Sequence, residues 1–250
     1  MKTAKPFPPS VRSARRLRAI YEQLLSNYGP QQWWPAATPF EVVLGAYLTQ
    51  NTSWRAVERS ILALKAHGSL SVEGIRKLPE AALRELIRPS GYMLRKAASI
   101  KAFVAFLDKE CDGSLDRLRP QASTEDTRKK LVALPGVGPE TADAILLYVL
   151  GQPAMVVDEY LRRVVTRHHL LPETANYSAI QALAVRSFSG EKAETRVQHY
   201  NEFHALMVVV GKQHCGPKPK CGGCPLARFL PHDRAAISKP ERTPTLNKPD

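Results

Sequence analysis

The chain lacks any apolar run near the roughly 20 residues that span a bilayer, so no membrane segment is expected. Nor does the start of the sequence read as a secretory leader: MKTAKPFPPSVRSARR is basic but has no apolar stretch behind it, so none is expected. Acidic residues are scarce, 23 Asp and Glu against 36 Lys and Arg, and the formal net charge is +13. Such an excess suits a polyanionic partner, because neutralising phosphates releases counterions; basic chains also bind membrane surfaces, so charge alone leaves the partner open. Cysteine is scarce too. Three of the four crowd between Cys215 and Cys224, which without a secretory signal reads as metal binding before disulfides. Cys111 stands apart and reads as a structural or free thiol. The expected compartment is the cytoplasm, in association with the nucleoid. Strand signals are few: Met155 to Val157 is short, and Met207 to Val210 sits in a helical period. No internal repeat or low-complexity block is found.

Helical patterning fills the rest. Val11 to about Tyr28 places Leu17, Ile20, Tyr21, Leu24 and Leu25 on one side, and Gly29-Pro30 stops it. A turn-like segment with Trp33 and Trp34 follows, then a strongly apolar helix from Phe40 to Asn51. Ser53 is placed to cap the next helix, which runs towards His67. Short patterns continue through Ile75, Leu83 and Leu86, then Arg95 to Leu107. The fold class is all-α. The proline-rich polar end, residues 236–250, is expected to be disordered.

Leu134-Pro135-Gly136-Val137-Gly138-Pro139-Glu140-Thr141-Ala142 is the most informative stretch. Helical runs flank it, Thr127 to Ala133 before and Glu140 to Leu150 after. Gly136 and Gly138 can adopt positive φ and leave backbone N–H groups uncovered, and the next helix begins there. Amides at a helix start make a phosphate cradle that reads no sequence, with Val137 as its anchor in the core. A plain αα-hairpin with glycine caps would need the same residues. Asp158 lies about twenty residues on, before a run containing Tyr160, Leu161, Val164 and Val165, and reads as a helix N-cap that stays ionised and points outward.

The string L-P-G-V-G-x-x-T-A, a helix and then Val157-Asp158 resemble the helix-hairpin-helix DNA glycosylases of the endonuclease III superfamily. The resemblance implies Asp158 as the catalytic carboxylate. Breaking an N-glycosidic bond builds positive charge on the deoxyribose, which a carboxylate stabilises while it orients or deprotonates water. Endonuclease III has a lysine directly before the T-A; here Glu140 stands there and cannot form a Schiff base. The implied activity is therefore monofunctional hydrolysis. Lys96 or Lys212 could supply a lyase amine, though no motif supports either.

Trp33-Trp34-Pro35, Phe40-Glu41, Leu48-Thr49-Gln50-Asn51-Thr52, Arg88-Pro89-Ser90-Gly91 and Ala142-Asp143-Ala144 narrow the likeness to the bacterial 3-methyladenine DNA glycosylase III group. That implies a pocket for an alkylated purine. Trp34 and Trp54 stand where its sandwiching aromatics do, Glu140 lies in the base pocket, and Gln50 matches the wedge that fills the hole left by a flipped base. Gln50, Gly136, Val137 and Gly138 form the implied DNA-binding set, with Lys96 as a phosphate contact or a solvated charge.

Cys215-x5-Cys221-x2-Cys224 resembles the superfamily's iron–sulfur loop, with a first spacing one residue short and Leu230 where a fourth cysteine belongs. A [4Fe–4S] cluster, zinc or no metal are the open readings, with His214, His232 or Asp233 as candidate fourth ligands. Lys218 and Lys220 make the loop basic. The expected organisation is a six-helix barrel over 33–151, and a second helical subdomain from 11–32 and 152–235, with duplex DNA in the cleft between them. The chain is expected to act as a monomer. The rivals are a bifunctional glycosylase/lyase on oxidised pyrimidines and a non-catalytic damage-binding protein.

Overall fold

A computed structural model describes residues 10–34, 36–118 and 123–231. Pro35, His232, Asp233 and the segment 236–250 lie outside them. Every regular element among the described residues is helical, and none is long and apolar enough to cross a membrane. They fall into two compact units. One takes the segment ending at Gln31, Val157–Ser189 and the segment from Glu202; the other takes Gln32–Val156 and Gly190–Asn201.

In the second of these, α2 (Pro39–Leu48) is the central helix. Thr38 caps it by accepting from Glu41 N, Glu41 in turn accepts from Ala37 N, and Pro39 occupies the first turn. Its apolar residues run all round the helix, which a helix can afford only when covered on every side. Accordingly, residues 42–48 are all buried, against α3 (Trp54–Ala66), α6 (Met93–Glu110) and α8 (Pro139–Ala144). Two short helices, α4 (Val72–Lys77) and α5 (Glu80–Leu86), pack on α6, and α7 (Thr124–Val132) packs on α8. Pro79 separates α4 from α5, because its ring cannot continue a helix. This unit carries the helices α2 to α8 among its described residues, together with the segment Gly190–Asn201. Leu44, Leu48, Val57, Leu64, Ile100 and Phe103 are among the side chains of its core.

In the other unit, α1 (Val11–Tyr28) matches its sequence boundaries, with Ser10 accepting from Ser13 N at 3.0 Å. It packs on α10 (Tyr177–Ser187). Tyr21, Phe188 and Phe203 meet edge to face, with centroids 5.3 to 5.9 Å apart. The unit also holds α9 (Glu159–Arg167) and the C-terminal part of α11 (Ala193–Gln213). Met155 to Val157 is buried chain outside any helix, and Met207 to Val210 is helical, as its period implied.

Candidate active site

The hairpin forms between α7 and α8. Gly136 has φ +75, and a Cβ there would come within 2.9 Å of Ser99 Cβ, with Ser99 Oγ closer still. Only glycine suits that backbone and that approach to α6. Gly138 differs from the expectation: its φ is −91 and ψ 177, so it is an extended N-cap without need of positive φ. Val137 is buried, as expected of an anchor, while Gly138, Pro139 and Glu140 are exposed. Behind the turn, Arg128 pairs in a fork with Asp143, Nε to Oδ1 at 2.6 Å and Nη2 to Oδ2 at 3.0 Å. Asp143 is fully buried, so this pair fixes α7 on α8. The sequence signal for it was a lone charge on the apolar face of α8.

Gln50 lies just beyond α2. Its Nε2 donates to Gly136 O and to Thr141 Oγ1, both at 2.9 Å, which ties it to the hairpin. To fill a hole in a duplex it would have to release those bonds. Lys96 requires correction. It is 3% exposed, and its Nζ donates at 2.8 Å to Leu48 O, Thr52 Oγ1 and Ser90 O. Three acceptors and burial make it an internal strut for the Gln50–Thr52 turn, neither a phosphate contact nor a solvated charge. Burial pushes its ammonium down to about 8, while the acceptors around it favour the charged form. With three protons committed to hydrogen bonds it is no free amine for a Schiff base.

The tryptophans gather, but not as a sandwich. Trp34 and Trp54 meet edge to face, centroids 5.7 Å apart and planes at 71°. Stacking a base on two faces needs parallel rings, so this arrangement does not form the expected slot. Trp33 lies against both, and Tyr148 packs on Trp34 at 5.3 Å. Tyr148 was missed because its helix was read as regular to Leu150. A π-helical turn, Ile145–Val149, instead continues α8 and carries the ring to Trp34. A Cβ on Gly45 would meet Trp34 Cζ2 at 3.1 Å, so the absence of a side chain there is what lets the indole lie against α2. Tyr92, 65% exposed at the start of α6, is a further apolar group that sequence reasoning passed over.

Asp158 caps α9 as expected, Oδ1 accepting from Leu161 N at 2.7 Å. It does not point outward. The residue is 8% exposed, and burial raises its carboxyl pKa above the ordinary value, against the pull of His204 and the helix amides. His204, buried in α11, sets Nε2 3.6 Å from Asp158 Oδ2. Burial lowers the imidazole pKa, and the carboxylate opposes that.

The cysteine loop leaves α11 at Cys215. Arg167 donates to Cys215 Sγ at 3.2 Å, Gly216 O at 2.8 Å and Pro217 O at 3.0 Å, holding the loop on α9. Cys215 is buried, Cys221 and Cys224 half-buried, and none of the three is in a disulfide. Burial raises the Cys224 thiol, and so do the two neighbouring cysteines. Leu230 offers no ligand, and His214 Nδ1 lies 3.2 Å from Lys220 O. Among the described residues no three His, Cys, Asp or Glu side chains are arranged to hold a metal ion, so the loop does not fit a four-thiolate cluster.

Residues 44–189 match the family model of the HhH-GPD superfamily base excision DNA repair protein. A protein of Methanocaldococcus jannaschii, named as a candidate DNA repair glycosylase (MJ1434), is 39% identical over 210 residues, covering 84% of this chain and 93% of the relative. The crystal structure of 3-methyladenine DNA glycosylase (MagIII) from H. pylori, bound to 1,N6-ethenoadenine, superposes with a TM-score of 0.68. It shares 29% identity and covers 80% of this chain and 97% of that one. A non-covalent endonuclease III–DNA complex superposes at 0.74 with 20% identity, over 90% and 99% of the two chains, a likeness of fold. The chain belongs to the HhH-GPD superfamily of base excision DNA repair proteins and is a DNA N-glycosylase.

Proposed function

We propose that the protein is a monomeric, monofunctional glycosylase that releases alkylated purines from duplex DNA. The observation that carries the monofunctional reading is Glu140, exposed in the first turn of α8 where a lyase lysine would stand. Lys96, an alternative amine, is buried with all its protons donated. Water is then the nucleophile and Asp158 its base and the stabiliser of the sugar cation. The indoles of Trp33, Trp34 and Trp54 beside Tyr148 support an electron-poor base as substrate, since such a base binds an aromatic face well. The likeness to the H. pylori enzyme bound to an etheno-adduct of adenine supports the same class. In this reading the Trp34 ring turns away from Trp54 to admit the base. The net charge of +13 and the exposed hairpin supply sequence-blind phosphate contact.

Duplexes each carrying one defined lesion test the proposal. Free alkylated purine should appear, and strand breaks only after alkaline treatment. Breaks without alkali, or a covalent complex trapped by borohydride on abasic DNA, would establish lyase chemistry instead. Iron and zinc analysis of protein purified without oxygen tests the cysteine loop. Absorbance near ~400 nm with four irons per chain would mean that a ligand outside the described residues completes a cluster.

A further inference from the structure

Asp158 is poorly placed, taken by itself, for the role proposed for it. A buried carboxylate away from water favours its neutral form, whereas stabilising a sugar cation or deprotonating water requires the charge. Something must offset that burial. One oxygen, Oδ1, is held by the α9 amides, with Leu161 N at 2.7 Å. The other, Oδ2, faces His204 Nε2 at 3.6 Å, and both side chains are 9% exposed. That separation is too long for a hydrogen bond and short enough for a strong charge contact in a desolvated setting.

We propose that His204 is a positioning residue for Asp158, keeping the buried carboxylate ionised and its Oδ2 oxygen in place. The inference rests on the reading of Asp158 as the catalytic carboxylate. His204 stands between Phe203 and Ala205, in a run of fully buried side chains that continues through Met207, where a plain core residue would be apolar. The approach of α11 to α9 is kept close by Gly211, where any Cβ would run into the Tyr160 ring. The other charged group acting on the pair is Glu159, exposed at the start of α9, which pushes the Asp158 carboxyl up. Tyr177 Oη accepts from Val157 N at 3.3 Å on the approach to Asp158, and Glu202 is turned to Gln31 N at 2.7 Å. Of the charged and titratable side chains on these elements, His204 is the one whose pull on Asp158 favours its ionised form. Because the two groups are close, their titrations belong to the pair.

The test uses the full chain and two independent readouts. In the first, single-turnover release of base from methylated duplex DNA is followed from pH 5 to 9 for wild type, His204→Gln and Asp158→Asn. His204→Gln should move the acid limb of the rate up by about one pH unit, the low end of what an adjacent opposite charge contributes, and approach the wild-type rate at high pH. In the second, the His204 imidazole is titrated by NMR without substrate. By reciprocity its pKa should fall by about the same amount in Asp158→Asn. An unmoved imidazole pKa in Asp158→Asn would overturn the proposal. So would a His204→Gln rate lowered equally at every pH together with a lower melting temperature, which marks a packing role. If Asp158→Asn keeps its turnover while the NMR coupling is present, the reading of Asp158 has failed and the pairing itself has not.

Discussion

Gly136→Ala is the perturbation whose size can be worked out most directly from the hairpin. The native φ is +75, and moving an L-residue into the left-handed region costs roughly 1–2 kcal/mol. The new methyl would also stand 2.9 Å from Ser99 Cβ, and Ser99 is buried on α6. Rotating the hydroxyl does not relieve a clash with Cβ, so the hairpin or α6 must shift, an overpacking cost of about 1–3 kcal/mol. Together these make about 2–5 kcal/mol, which in a chain of this length corresponds to a fall in Tm of roughly 4–20 °C. The Gln50 bond to Gly136 O would be disturbed as well, so binding to undamaged duplex should weaken and its salt dependence become shallower. Calorimetry and fluorescence titrations at several salt concentrations measure both. Ser99→Gly removes the atoms that clash and leaves the φ cost. A double-mutant cycle should therefore return about 1–3 kcal/mol of favourable coupling between the two positions. A cycle that closes with no coupling, or a Gly136→Ala protein with wild-type Tm and DNA affinity, would refute the account of the hairpin.

Asp158→Asn should abolish base release by at least ~10²-fold and yet melt no lower at pH 7. Asn keeps the N-cap to Leu161, and its neutral amide escapes the burial that penalises the carboxylate. The sign follows from the raised pKa: the folded protein holds the Asp158 proton more tightly, so this residue favours folding most at low pH. That contribution is lost as pH rises from the unfolded value of ~3.9 through the folded one. Catalysis runs oppositely, since it needs the ionised form, and its acid limb should lie above an ordinary carboxylate's. Lys96→Met should lower Tm by leaving Leu48 O, Thr52 Oγ1 and Ser90 O without their donor, while the salt slope of DNA binding stays unchanged; a slope reduced by about one would restore a phosphate contact. Trp34→Ala should slow alkylpurine release by roughly 5- to 150-fold with little effect on binding to undamaged duplex. Gly45→Ala, which crowds Trp34 Cζ2, should act in the same direction; equal loss of all DNA binding in either variant would mark Trp34 as packing alone.

What could be read along the chain is what depends on local chemistry. The boundaries of α1, the cap at Asp158, the glycine demand at Gly136 and the burial of Val137 follow from periodicity, capping and left-handed φ, each determined within a few residues. So does the glutamate at 140, whose lack of an amine is a property of the residue itself. What only the tertiary structure decided is where long side chains end and what surrounds them. Lys96 looked like a surface cation until α6 brought its ammonium against the carbonyl of Leu48, 48 residues earlier in the chain, and that of Ser90 just before the helix. Trp34 and Trp54 occupied suggestive positions, but the angle between their rings depends on how Tyr148, Trp33 and Gly45 crowd them. Asp158 and His204 are 46 residues apart, and Arg128 reaches Asp143 across a turn. Charge, pKa and ring orientation depend on the dielectric and the neighbours at the end of each side chain, and those are supplied by residues distant in sequence.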